Sequence, residues 1–144
     1  MITLLQRVSQ ASVEVDSQFI AAIEKGLLVL VGVQSEDNET VARHFVQRLL
    51  NYRVFSDHEG KMNLSLGDIG GSLLLVPQFT LVANTKKGRR PSFTSAAKPA
   101  HGQQMFAAMV EHARAAHDRV ECGSFGADMQ VHLVNDGPVT FILD

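Results

Sequence analysis

The segment Gly26-Leu27-Leu28-Val29-Leu30-Val31-Gly32 contains the longest apolar run in the sequence. Its five consecutive aliphatic residues are far too few to cross a membrane. Because odd and even positions are equally apolar, both faces of a strand formed here must be buried. The segment therefore predicts a central β-strand that is covered on both sides.

Further strands and two helices are predicted on either side of this strand. Alternating or continuous apolar residues indicate strands at residues 2–8, 12–15, 19–23, 52–55, 72–82, 129–134 and 139–143. Residues 35–38 offer N-caps and early acids, and Val41, Phe45 and Leu49 follow at helical spacing, which predicts an amphipathic helix to about residue 51. Pro99 suits the first turn of a second helix. Its apolar face consists of Met105, Phe106, Met109 and Val110.

The arrangement of these elements predicts an α+β fold. Strands at both ends of the chain flank two main helices, and no internal repeat or linker interrupts the pattern. A chain of 144 residues can bury about two-thirds of its unfolded surface in one core. We expect a single domain over residues 1–144, with a mixed, barrel-like β-sheet on which the helices pack.

Composition and charge exclude several classes of protein. The chain is 45% hydrophobic and 19% charged, which is typical of a globular protein and not of a disordered one. The net charge of -2 excludes a generally polyanion-binding protein, so nucleic acid would have to contact a local patch. The single cysteine, Cys122, excludes an internal disulfide. With no signal-peptide pattern at the start, we expect a cytoplasmic protein.

No familiar catalytic or metal-binding motif is present. His112 and His117 are five residues apart and would diverge on a helix, and no His-x-x-x-His pair exists. There is no Gly-x-Ser-x-Gly elbow, Walker loop or Gly-x-Gly-x-x-Gly loop. Cys122 lacks a cysteine-hydrolase signature. We therefore expect no metal and no cofactor, and these patterns leave the reaction unnamed.

The segment Val76-Pro77-Gln78-Phe79-Thr80-Leu81 is an unusual strand. Pro77 has no backbone N–H to donate to the hydrogen bonds between strands, which indicates a sheet edge, a bulge or a break in the strand. Where a strand breaks, the following backbone N–H groups are free to bind a ligand, as in an oxyanion hole. The residues alone favour an edge strand.

Two other features are open to more than one interpretation. Gly137-Pro138 separates two predicted strands, and the residues alone favour an ordinary turn with a trans bond. Lys86, Lys87, Arg89 and Arg90 place four cations in five residues. Such a run is typical of a solvated loop, and it is also the one candidate for a nucleic-acid contact.

Taken together, short strings along the whole chain resemble the D-aminoacyl-tRNA deacylase family. Those at the amino-terminal end and in the centre are Leu5-Gln6-Arg7-Val8 with Ala11-Ser12-Val13, then Gly26-Leu27-Leu28-Val29-Leu30, and then Asp57-x-x-Gly60-Lys61-Met62-Asn63-Leu64. The later ones are Gln78-Phe79-Thr80-Leu81, Arg90-Pro91-Ser92-Phe93, Ala127-Asp128-Met129-Gln130-Val131 and Asn135-Asp136-Gly137-Pro138-Val139-Thr140.

The resemblance implies a homodimer that recognises the chirality of its substrate. Gly137 and Pro138, joined by a cis bond, would reach into the pocket of the partner subunit. There an L side chain would collide with fixed backbone, while a D side chain would point to open space. Glycine would not be rejected by this device. Arg7 would brace the Gly-Pro segment by donating hydrogen bonds to its carbonyl groups.

The resemblance also implies hydrolysis of the ester that joins a D-amino acid to the terminal ribose of tRNA. The catalytic residues would be Gln78, Phe79 and Thr80, with backbone N–H groups near Phe79 and Thr80 stabilising the oxyanion. The neighbouring ribose hydroxyl could take part, and we expect Thr80 to position groups instead of acting as a nucleophile. The basic run, residues 86–90, would bind tRNA phosphates.

One residue departs from the family pattern. The family carries Ser before Gln-Phe-Thr, whereas this chain carries Pro77. A related branch that edits L-alanyl mischarged tRNA has Pro-Gln followed by Ala, so Phe79 favours the D-specific branch. The alternatives are that alanine-editing activity and a non-catalytic, dimeric RNA-binding module that uses only the basic loop.

Overall fold

The computed structural model describes residues 1–144, which form one six-stranded sheet, a two-stranded ribbon and three α-helices. The strands are β1 (Ile2–Val15), β2 (Gln18–Ile23), β3 (Gly26–Gly32), β4 (Phe55–Ser56), β5 (Met62–Leu64), β6 (Ser72–Pro77), β7 (Val120–Cys122) and β8 (Gln130–Leu143). The helices are α1 (Glu39–Asn51), α2 (Leu66–Ile69) and α3 (Pro99–Ala116), with a 3₁₀ turn at Phe79–Val82.

The central strand is β3, as its apolar run predicts. It pairs antiparallel with β1 and parallel with β6, and β6 in turn pairs parallel with β7. Leu27 and Val29 are fully buried against the core that the helices cover, whereas Leu28 is buried in a second core on the opposite face. The prediction of a strand covered on both sides is therefore confirmed.

Both predicted helices are present at the expected positions. The side chain of Asn38 caps α1 by accepting a hydrogen bond from the N–H of Val41 at 3.1 Å. Pro99 occupies the first turn of α3, where its missing N–H has no intrahelical partner to lose. The predicted apolar face of α3 is buried: Met105, Phe106, Met109 and Val110. No helix in the structure is both long enough and apolar enough to span a membrane.

The second core gives the sheet its barrel-like shape. It is formed by the later half of β1, by β2, and by the inner faces of β3 and β6. The first part of β8 packs beside it through Val131 and Leu133. Because β2 approaches β6 and β7, the sheet curls towards closure. The α+β fold with a mixed, barrel-like sheet is thus confirmed.

Three short elements, α2, β5 and β7, were absent from the sequence prediction because none of them spans a full hydrophobic period. Helix α2 begins with a capping box between Ser65 and Asp68 and ends at Gly70. The backbone N–H of Ser65 donates to the Asp68 carboxylate, which holds the pKa of that carboxyl below its usual value. This helix leads directly into β6.

The predicted strand boundaries were wrong in four places. β1 is one strand and not two, because β8 pairs with it through a bulge beyond Val8. β6 ends at Pro77 and does not continue to residue 82. β8 is also one strand, so the turn predicted at residues 135–138 is a bulge within it. In β4, only Phe55 and Ser56 are extended and paired, instead of residues 52–55.

Candidate active site

A cavity of about 690 Å³ lies at the carboxyl ends of the parallel strands β3, β6 and β7. Its remaining walls come from the start of α3 and from the segment between β7 and β8. The walls are mostly apolar, with few polar side chains. The residues that line it include Pro77, Gln78, Phe79, Phe93, Lys98, Phe125, Asp128 and Met129.

Pro77 ends β6 at the edge of this cavity. β6 lies inside the sheet, between β3 and β7, so the sequence-based preference for an edge strand was wrong and the alternative of a break is correct. Gln78 N–H still donates to Val31 O at 2.7 Å, after which the chain turns into the 3₁₀ segment. The N–H groups of Phe79 and Thr80 are the first two of this turn, so neither has a hydrogen-bond partner within it, and no side chain caps them.

The 3₁₀ turn lies close against β3 because of Gly32. A Cβ at this position would come within 2.7 Å of Val82 Cγ1 and 3.1 Å of Leu81 Cβ. Contacts this short force the neighbouring groups to move. The absence of a side chain at Gly32 therefore determines where the free N–H groups sit relative to the cavity.

The side chains of the turn form a small polar pair. Gln78 Nε2 donates a hydrogen bond to Thr80 Oγ1. No histidine, carboxylate or lysine is hydrogen-bonded to the Thr80 hydroxyl, so it lacks the adjacent base that an activated nucleophile requires. The geometry fits a positioning role for both residues.

The segment after the turn forms a basic hairpin. Asn84 and Ser92 exchange backbone hydrogen bonds at 2.8 and 3.0 Å, and Gly88 adopts a positive φ of 73° between them. The tip of the hairpin carries the predicted cations, all of them exposed and none in an ion pair: Lys86, Lys87, Arg89 and Arg90. The hairpin begins next to the turn and returns to the cavity at Phe93.

Gly137 and Pro138 lie in a bulge of β8. Val8 pairs with Asn135 and Gln6 with Thr140, so four residues of β8 bulge out opposite Arg7. The Gly137–Pro138 bond is cis, as the resemblance implies and contrary to the prediction from the residues alone.

Arg7 makes two hydrogen bonds, one to the bulge and one to the segment before β4. Its Nε donates to Asp136 O at 3.0 Å, and its Nη1 donates to Val54 O at 2.8 Å. Arg7 therefore contacts the bulge, but the carbonyl group that accepts its hydrogen bond belongs to Asp136 and not to Gly137 or Pro138. The Asp136 carboxylate lies 3.6 Å from Arg7 Nε. Arg7 is mostly buried, with 13% of its side chain exposed.

The structure does not bring the two motifs together within one chain. Arg7 pairs with Leu27, which in turn pairs with Leu73, whereas Gln78 lies five residues further along β6. At roughly 3.3 Å per residue, this is about 17 Å along the strands. Gly137 lies on β8, which is three strands from β6 in the order β6-β3-β1-β8. A single chain thus carries the bulge and the cavity at opposite ends.

Sequence reasoning did not select several residues of the cavity. Phe93 and Phe125 are large aromatic residues in otherwise polar loops, a signal that could have identified them. Lys98 and Met129 carried no such signal. Nowhere do three or more His, Cys, Asp or Glu side chains cluster in a way that could hold a metal ion.

The whole chain matches a known family. The family model described as D-Tyr-tRNA(Tyr) deacylase matches residues 4–144. The chain belongs to this family. It contains the turn, the basic hairpin and the Gly-Pro bulge within that matched range, as well as Pro77 at the end of β6.

Curated members of the deacylase family are similar over their full length. A D-aminoacyl-tRNA deacylase from Pseudomonas paraeruginosa is 61% identical over 144 residues, covering 100% of this chain and 99% of the relative. One from Stutzerimonas stutzeri is 60% identical over 141 residues, covering 98% and 97%.

Two solved structures share the fold of this deacylase family member. A c-Myc DNA unwinding element binding protein superposes with a TM-score of 0.96 at 38% identity, covering 100% of this chain and 98% of the other. A probable eukaryotic D-amino acid tRNA deacylase superposes with a TM-score of 0.86 at 20% identity, covering 99% and 97%. The second likeness concerns the fold alone.

Proposed function

We propose that this chain hydrolyses the ester bond of D-aminoacyl-tRNA, releasing the free D-amino acid and tRNA, and that it spares L-aminoacyl-tRNA. Membership of the deacylase family supports the reaction. The observation that carries the proposal is the pair of unbonded N–H groups, at Phe79 and Thr80, beside an apolar cavity.

The cavity suits the terminal adenosine of tRNA. A purine base is flat and largely apolar on its faces, and the walls formed by Phe125 and Met129 can enclose such a ring. Gln78 and Asp128 supply polar groups at the same cavity. Binding there places the aminoacyl ester next to the turn that begins at Phe79.

Hydrolysis would then depend on position and charge stabilisation. The ester is already activated, so a water molecule held near its carbonyl carbon is a sufficient nucleophile. The oxyanion that forms would accept hydrogen bonds from the N–H groups of Phe79 and Thr80. Gln78 orients Thr80 through their hydrogen bond, and the adjacent ribose hydroxyl of the substrate can participate.

Selection against L-substrates would come from Gly137 and Pro138 of a second subunit. Within one chain the bulge lies far from the cavity, so the two can cooperate only across a homodimer. The far edge of β8 is unpaired and carries exposed apolar side chains: Val134, Phe141 and Ile142. An edge of this kind is suited to be covered by another copy.

The chirality test would rest on fixed backbone. Arg7 holds the carbonyl that precedes Gly137, so the bulge cannot easily retreat from a colliding L side chain. A D side chain would avoid the collision. Glycine has no side chain to reject, so glycyl-tRNA mischarged on a non-cognate tRNA would also be a substrate.

The basic hairpin would bind the tRNA backbone. Lys86, Lys87, Arg89 and Arg90 are exposed and free of ion pairs, and they lie next to the turn. Binding that uses them should weaken as salt rises, because phosphate contacts release bound cations. We further propose that residues 1–144 act as one deacylase domain in the cytoplasm, where aminoacyl-tRNA is used.

Hydrolysis of D-Tyr-tRNA and L-Tyr-tRNA, measured side by side, tests the proposal. We expect rapid release of D-tyrosine and little release of L-tyrosine. Equal rates for the two, or no cleavage of either, would contradict it. Preferential cleavage of L-Ala-tRNA would instead support the alanine-editing activity that Pro77 allows. Binding of tRNA without cleavage would indicate a non-catalytic RNA-binding module.

A further inference from the structure

Two phenylalanine rings are exposed at the rim of the cavity, although burial would be favourable for both. Phe79 is 59% exposed and Phe93 is 38% exposed. Their ring centroids lie 5.2 Å apart with an interplanar angle of 49°. Each ring packs against the other and also leaves aromatic surface open to solvent.

The surroundings of these rings are strongly cationic. Residues 83–98 contain five of the 13 Lys and Arg residues of the chain and no Asp or Glu, although the whole chain has a net charge of -2. Ser92, next to Phe93, pairs with Asn84 at the base of the basic hairpin. Ser95 Oγ donates to Val82 O at 2.7 Å, which ties the returning segment to the 3₁₀ turn.

We propose that Phe93, together with Phe79, forms a stacking platform for the base of the nucleotide that precedes the terminal adenosine. The inference rests on the proposed function and deepens it. Unpaired nucleotides are bound by aromatic rings that stack on their bases and by cations that hold their phosphates. Exposed rings beside unpaired Lys and Arg residues provide both kinds of contact.

The location fits the direction of the substrate strand. When the terminal adenosine occupies the cavity, the rest of the strand must leave through the rim. At Phe93 the rim continues directly into the basic hairpin. The base next to the terminal nucleotide therefore meets the rings, and the phosphates on either side of it lie within reach of the hairpin cations.

A purely structural role for Phe93 makes a different prediction. If Phe93 only supported Phe79, its loss would impair every substrate equally, because the catalytic turn itself would move. A stacking role affects only substrates that contain the preceding nucleotide. D-tyrosyl-adenosine lacks that nucleotide and D-Tyr-tRNA contains it, so the two substrates separate these roles.

The experiment compares Phe93→Leu with the wild type on both substrates. We expect kcat/KM on D-Tyr-tRNA to fall by about tenfold or more, mainly through KM, because one base–aromatic stack is lost. The fall on D-tyrosyl-adenosine should be several times smaller. Phe93→Trp should restore activity on tRNA. Phe19→Leu, which changes an exposed ring on β2, is the matched control.

Equal losses on both substrates would overturn the platform and assign Phe93 a supporting role. An unchanged kcat/KM on D-Tyr-tRNA would overturn it as well. Failure of the proposed function is distinct from either result, since the wild-type protein would then hydrolyse neither substrate. Variant stability, measured by thermal unfolding, shows whether any loss reflects misfolding.

Discussion

Pro77 and Pro138 each interrupt a strand, with opposite results. At Pro77, β6 ends, and the chain leaves the sheet as a 3₁₀ turn with two unbonded N–H groups. At Pro138, β8 continues, because Thr140 on one side and Asn135 on the other both remain paired with β1. The consequence of a proline thus depends on what pairs with its neighbours.

The surroundings of the two interruptions differ as well. Val76, which precedes Pro77, is buried in the second core. Gly32 allows the 3₁₀ turn after Pro77 to lie close to β3. The bulge at Gly137 and Pro138 is exposed along an edge of the sheet and depends on Arg7 for support. The turn after Pro77 is therefore suited to hold catalytic donors in place, and the bulge is suited to present backbone to another molecule.

The largest effect is expected from Gly137→Ala, which tests the exposed bulge in β8. Gly137 has φ of 135°, and a Cβ there would come within 2.7 Å of Val139 Cγ2 and 3.1 Å of Arg7 Nη2. We expect kcat/KM on D-Tyr-tRNA to fall by about 100-fold, as misplaced positioning groups typically cause.

Gly60→Ala is the control for this change. Gly60 also has a positive φ, of 78°, but a Cβ there meets nothing within 4 Å. It should lower stability slightly and leave activity nearly unchanged. Full activity of Gly137→Ala would contradict the role given to the bulge.

Gly32→Ala tests the 3₁₀ turn that follows Pro77. Its Cβ would push against Val82 and Leu81 and displace the turn that carries the donors. We expect kcat on D-Tyr-tRNA to fall by about 30-fold. Gly67→Ala is the matched control, since a Cβ there would meet only ordinary contacts at 3.7 and 3.8 Å. A normal kcat for Gly32→Ala would argue against donors in this turn.

Arg7→Lys tests how much the hydrogen bonds of Arg7 stabilise the bulge. One ammonium group cannot reproduce the two directed hydrogen bonds to Asp136 O and Val54 O. We expect a loss of about 1–2 kcal/mol in the free energy of unfolding and roughly tenfold weaker discrimination between D-Tyr-tRNA and L-Tyr-tRNA. Arg53→Lys removes a single exposed bond to Asn63 O and should change neither. Retained discrimination in Arg7→Lys would show that the bulge needs no brace.

The smallest effect is expected from Pro77→Ser, which restores the residue that the family usually carries. Gln78 makes its bond to Val31 O whichever residue precedes it, so the strand should still end here. We expect kcat/KM on D-Tyr-tRNA to stay within about threefold, or about 0.7 kcal/mol. A much larger increase would show that the hydroxyl contributes to the reaction.

The parts of the fold that could be predicted from the sequence are those with a strong local signal. The apolar run of β3, the cap at Asn38 and Pro99 at the start of α3 all act within a few residues of chain. The site residues were selected through their family-like strings, and the structure places Gln78, Phe79 and Phe93 at one cavity. Phe93 was quoted in such a string and was assigned no role.

By itself, the sequence determined the α+β class, the central strand and both long helices, because periodicity, capping and proline geometry act locally. Only the tertiary structure decided that β6 is an interior strand and that Gly137 lies in a bulge opposite Arg7. It also decided that this bulge and the Gln78 turn lie at opposite ends of one chain. Strand pairing joins residues that are distant in sequence, and no local pattern of apolar and polar residues encodes which partner a strand finds.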